Sequence, residues 1–192
     1  MVASEGGLGL HHLGLHHLGL HQEELGKATR MTVITQIDTD ATQSQEAGIA
    51  QGLRQIASDA AILRMKLQAL RWAYAGARRR DVAALLAARE DEMTGLFDVA
   101  ATRLRTRGHP VPAGPGACRT HASIGLDDVS RDQETRLRAL RDDLASLVAG
   151  CRATHGLVAA RDIDTAARLA GQIRVLERGV WMLSAQAAGT DR

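Results

Sequence analysis

Between Arg71 and Pro112 a stripe of apolar residues, Val82, Leu85, Leu86, Met93, Leu96, Phe97, Ala100 and Leu104, recurs every three or four positions. That spacing puts them on one face of a long helix, and a helix with one apolar face must bury it against others of its kind. Gly108 and Pro110 close the stretch: glycine tolerates a left-handed cap, and proline cannot continue the helix.

Three more stripes share the rhythm. From about Ser44 to Ala75 it is carried by Ile49, Leu53, Ile56, Ala60, Leu63, Leu67, Leu70 and Tyr74. A third helix is expected from Ser130, where Ser130 and Gln133 have the S-x-x-Q form of a capping box, with Leu137, Leu140, Leu144, Leu147, Val148 and Cys151 buried. Asp162 or Asp164 can cap a fourth, which carries Ile163, Ala167, Leu169, Ile173, Leu176, Val180, Trp181 and Leu183. No segment alternates as a strand does, so the expected fold is all-α. In the link from Val111 to Val129, proline and glycine make the first part a loop. This link is longer than the roughly two to eight residues that join antiparallel neighbours. It lets the chain cross the bundle between helices two and three, as in the ferritin-like four-helix class. Trp72 and Trp181 read as core residues.

Charge and composition exclude several classes. The net charge of +2 is too small to imply a nucleic-acid partner by itself. Lys27 and Lys66 are the only lysines among 24 basic residues, an arginine bias that fits a GC-rich coding sequence better than a phosphate-binding surface. With aromatics at 2%, the stacking platforms of single-strand binders are missing. No apolar run reaches the roughly 18 residues of a membrane span. No signal peptide is expected, because no basic n-region or A-x-A site accompanies the apolar N-terminus. Cys118 and Cys151 lack a surrounding motif and read as ordinary thiols in a reducing compartment.

Residues 1–43 form a tail distinct from the bundle at 44–192. Residues 8–22 repeat with a period of five and hold His11, His12, His16, His17 and His21. Imidazoles are common ligands for zinc, copper and nickel, which makes this a candidate metal-catching tract. A period of five fits neither helix nor strand, which favours an expanded coding repeat, with Met31 an alternative start. Residues 23–43 read as a polar, disordered lead-in. Their mild acidity makes a poor DNA hook, since phosphates need cations. Arg78, Arg79 and Arg80 could touch phosphate, but a solvated helix start accounts for them better. Ser123, His121 and Asp127 lack a nucleophile-elbow pattern, and His109 and His155 are isolated.

Three segments together resemble the Dps family, the DNA-protection miniferritins of bacteria. Arg71 and Trp72 followed by Gly76 are similar to H-W-x-x-x-G, and Phe97 to Gly114 resembles D-x-x-A-E-R-x-x-x-L-G-G-x-P. Leu176 to Ala185 is close to E-K-x-x-W-M-L-x-A, and Ala122, Ser123 and Ile124 resemble the A-S-I of the crossover. The match runs in order across about residues 44 to 188. The resemblance implies a hollow homo-oligomer, a dodecamer, in the bacterial cytoplasm, and nucleoid association would follow from DNA protection. It further implies oxidation of ferrous iron, usually by peroxide, at sites shared between two subunits.

Carried onto this sequence with Trp72 as anchor, the family's ligand positions fall at Arg71, Ala83, Ala87, Asp98 and Thr102. Asp98 alone keeps a ligand. Arg71 puts a permanent cation where a divalent metal would sit, and alanine has no donor atom. The expected protein is therefore a Dps-like shell with an inherited role in iron sequestration and stress protection, but a largely lost ferroxidase centre. An ion pair between Arg71 and Asp98 of two subunits would fit the substitution. A relocated iron site around Asp91 and Asp98, with Glu90, is one alternative, although Glu90, Asp91 and Glu92 read more simply as a solvated or ion-paired face. DNA compaction through Arg78, Arg79, Arg80, Arg103, Arg105 and Arg107 is the other.

Overall fold

The computed structural model describes residues 12–126 and 132–188, with side chains described at residue 27 and, within those ranges, from residue 41 to 187. Among these residues there are five helices and no strand: α1 (His12–Ala73), α2 (Arg79–Thr106), α3 (Gly114–His121), α4 (Gln133–Val158) and α5 (Ile163–Ala188). The chain divides into two compact units, residues 1–45 and 46–192. The packing described below is that of the second. No described helix is long and apolar enough to cross a membrane.

Helix boundaries follow local chemistry, and several differ from the sequence reading. α1 starts at His12 rather than Ser44, so the expected lead-in and most of the histidine repeat are helical. No proline precedes Pro110, and each glycine costs only about 1 kcal/mol in a helix otherwise rich in leucine, alanine and glutamine. At the end of α2, Gly108 takes a φ of +76°, as expected. His109 N–H then reaches Leu104 O at 2.9 Å and Gly108 N–H reaches Arg105 O at 3.1 Å, the paired bonds of a Schellman cap.

The crossover is not wholly a loop. Gly114, at φ +81°, turns the chain into α3, whose early Pro115 sits where an amide hydrogen would have no helical partner. Buried Cys118 fastens this short helix to the bundle. α4 is capped by Asp132, whose carboxylate accepts from Thr135 N–H at 2.8 Å and Thr135 Oγ1 at 2.5 Å. Ser130, expected in that role, lies outside the described residues. Gln133 closes no capping box. Its Oε1 accepts from Ala75 N–H at 2.9 Å and ties α4 to the end of α1. Asp162 caps α5, accepting from Thr165 N–H at 2.9 Å and Thr165 Oγ1 at 2.6 Å.

All four long helices feed one core, with Leu53, Ile56 and Leu63 meeting Leu86, Met93, Leu96, Leu137, Leu144, Leu169, Leu176 and Leu183. Each such side chain contributes about 1.5–3 kcal/mol on burial. α2 and α5 run antiparallel, as two bonds at opposite ends show. Arg78 Nη1 donates to Gln186 O at 3.1 Å, and Arg103 Nη1 meets Asp164 Oδ2 at 2.5 Å.

Trp72 and Trp181 do not belong to this core: each is 70% exposed. Trp72 lies two residues past Leu70, and Trp181 two before Leu183. Two residues turn a side chain roughly 200° around the helix, away from the stripe. Ile163, at the first position of α5, is also exposed.

Candidate functional site

The face where the end of α1 meets α2 carries the positions at which the resemblance places iron ligands. Arg71, in the last turn of α1, reaches across to Glu90 on α2. Its Nε donates to Oε1 at 2.5 Å and its Nη2 to Oε2 at 3.1 Å, a bidentate fork in which both carboxylate oxygens are used. The guanidinium also lies over the Trp72 ring, 4.9 Å from its centroid. The hydrogen bond to Glu90 raises the Arg71 pKa against a smaller desolvation effect, with the charges of Glu90 and Asp91 adding to it. The cation is therefore fixed.

The rest of the stripe supplies few donors. Ala83 and Ala87 are half-buried; Asp91, Asp98 and Thr102 are exposed. Asp91 and Asp98 stand seven residues apart on one helix, about 10 Å along its axis at roughly 1.5 Å per residue. One ion bound at about 2 Å cannot bridge them. Among the described residues no group of three histidine, cysteine, aspartate or glutamate side chains could hold a metal. Taken alone, the five ligand positions offer one carboxylate, one hydroxyl and a guanidinium. That set does not fit iron, which prefers several carboxylate oxygens and imidazoles.

The arginines considered for DNA fall into two groups. Arg78 bonds Glu134 at 2.9 Å, and Arg103 bonds Asp164. Arg107 holds Glu46 at 2.6 Å and Asp162 at 2.5 Å, locking the start of α5 to the end of α2. Arg79, Arg80 and Arg105 are exposed. His12, His16, His17 and His21 lie within α1, whose side chains are not described there, and His11 lies outside the described residues. Ser123 is no nucleophile. Its Oγ donates to Asp59 at 2.8 Å, while its own N–H and that of Ile124 bond the same carboxylate at 2.7 and 3.0 Å. The A-S-I segment is thus the crossover's anchor on a buried α1 aspartate.

Sequence reasoning missed a buried polar cluster on α2. Arg89 is 4% exposed, and its Nη2 pairs with Glu92 Oε1 at 2.7 Å. Arg89 Nε, Arg89 Nη1 and Glu92 Oε2 are buried with no hydrogen-bond partner. Burial lowers the Arg89 pKa and raises that of Glu92, with Arg89 and then Arg178 opposing the latter shift. Glu92 is thus ion-paired, one of the two forms expected for this face, and largely buried. The signal was available: Arg89 continues the apolar series Val82, Leu85, Leu86 and Met93, where an arginine must be buried.

No protein-family model and no curated protein sequence matches the chain. Solved structures do, and they are ferritin-like helical bundles. Dps from Vibrio cholerae O1, described as a member of a broad superfamily of ferritin-like diiron-carboxylate proteins, is 22% identical. It aligns with a TM-score of 0.69 over 74% of this chain and 91% of its own. Dps from Thermosynechococcus elongatus aligns at 0.72 with 16% identity, over 76% and 93% of the two chains. Antigen TpF1 from Treponema pallidum aligns at 0.70 with 26% identity, over 75% and 94%. The chain is Dps-like in fold and divergent in sequence.

Proposed function

We propose that the chain is the subunit of a cytoplasmic, Dps-like homo-oligomeric shell in which the first position of the inherited ferroxidase site is taken by an ion pair within the chain instead of by iron. The observation that carries this reading is the bidentate Arg71–Glu90 fork. It uses both oxygens of the best-placed carboxylate and leaves a fixed cation at the first ligand position. The wide spacing of Asp91 and Asp98 speaks against a relocated site. The DNA reading loses support because Arg78, Arg103 and Arg107 are already engaged within the chain. The role that remains is structural: a protective container whose iron cargo, if any, is oxidised elsewhere.

Stopped-flow oxidation of ferrous iron by peroxide tests this. The parent chain and Arg71→His should both oxidise iron no faster than buffer, because one restored imidazole joins only Asp98. Rapid oxidation by the parent would establish the relocated site, and rapid oxidation by Arg71→His would show that the seam had kept its other ligands.

A further inference from the structure

A groove of about 470 Å³ runs between α2 and α5, on a different face of the bundle from Arg71 and Glu90. Arg89 lines one end. Because the helices are antiparallel, Arg178 and Gly179 of α5 stand level with it. Gly179 permits this approach: a Cβ there would lie 2.8 Å from Arg89 Nη1. The walls are apolar, built from Ala84, Leu85 and Ala88 on one side and Trp181, Met182 and Ala185 on the other. Asp81 and Gln186 stand at the far end, about 12 Å from Arg89 at roughly 1.5 Å per residue.

The two ends differ in sign. At the first, Arg178 adds a second positive charge near the Arg89–Glu92 pair, and two nitrogens of Arg89 lack acceptors. A buried donor without a partner is costly, and a charged one more so. An anionic oxygen pair would supply what Arg89 lacks. At the far end Asp81 repels a second anion. We propose that this groove binds a small amphipathic monocarboxylate, a medium-chain fatty or aryl acid, with its head group on Arg89 beside Arg178 and its apolar body against Trp181 and Met182.

Decanoate below its micellar concentration is a suitable probe, titrated into the full chain while tryptophan fluorescence is followed. Saturable binding at one site per chain is expected, with the spectral change absent in Trp181→Phe. Arg89→Met, which keeps the apolar volume, should weaken binding at least tenfold. Two ligands test the same point on the unaltered chain, whether or not that variant folds. Decanol lacks the charge and decanedioate carries a second one, and each should bind at least tenfold more weakly than decanoate. Equal binding of decanol and decanoate, equal binding by Arg89→Met, or no saturable signal would overturn the assignment.

Discussion

Removing Glu92 while keeping Arg89 should be among the most damaging single changes outside the leucine core. Arg89 is 4% exposed, and its pairing with Glu92 spans 2.7 Å, with nothing to accept from Nε or Nη1. Breaking a buried pair by deleting one partner costs about 3–5 kcal/mol, because the surviving charge stays buried and uncompensated. The Glu92 side chain retains 15% exposure, so water can reach part of the vacated space and the lower end of that range applies. A loss of about 3 kcal/mol in a chain of this size lowers Tm by roughly 6–12 °C. Replacing both residues, as in Arg89→Met with Glu92→Leu, should restore or exceed the parent's stability, since apolar substitutes for a buried pair are often neutral or stabilising by about 1–4 kcal/mol. Urea unfolding of the parent, both single variants and the double variant closes the cycle. If Glu92→Ala costs under about 1 kcal/mol, or the double variant is the least stable of the four, the pair is not the strained, buried element described above.

Asp162 should carry an acid limb of stability. Hydrogen bonds from Thr165 and Arg107 hold its carboxyl at about 2, below the ordinary 3.8. Its stabilisation is therefore complete above about pH 4 and lost as the pH falls towards 2. Asp162→Ala should cost about 1–2 kcal/mol at neutral pH, a helix cap plus a part-exposed ion pair, and should flatten that limb in pH-resolved melts. Trp181→Ala should cost under about 1 kcal/mol by urea titration, far from the roughly 3–5 kcal/mol of a buried tryptophan, because the ring is 70% exposed. Burial pushes the Cys151 thiol up to about 12, so a thiol reagent at neutral pH should label it only as fast as the chain unfolds.

The stripes through Leu53, Leu86, Leu144 and Leu176 were legible as an all-α bundle because burial on one side of a helix leaves a 3.6-residue period in the chain. The crossover's length was legible too, but its helix was not: eight residues opened by Gly114 and Pro115 carry turn signals that outweigh so short a period. The tryptophans were misread because their size suggested burial, whereas their register, two residues off the stripe, put them outside. At the seam, the identity of Arg71 indicated a missing ligand, but the expected partner was Asp98 of a second subunit, whereas Arg71 forks to Glu90 of its own chain. A fork to Glu90 depends on how α1 and α2 turn about each other, which no spacing within either helix records. Asp59 was missed for the same reason: its partners, Ser123 and Ile124, lie beyond a chain reversal.

Native mass spectrometry of the full chain, before and after loading with ferrous iron under anaerobic conditions, bears most directly on the replacement of iron by an ion pair. The expected result is a homo-oligomeric particle whose mass does not rise by stoichiometric increments of iron, in the parent and in Glu90→Gln alike. A particle that takes up iron in fixed proportion to its subunits, tightly enough to survive desalting, would contradict it.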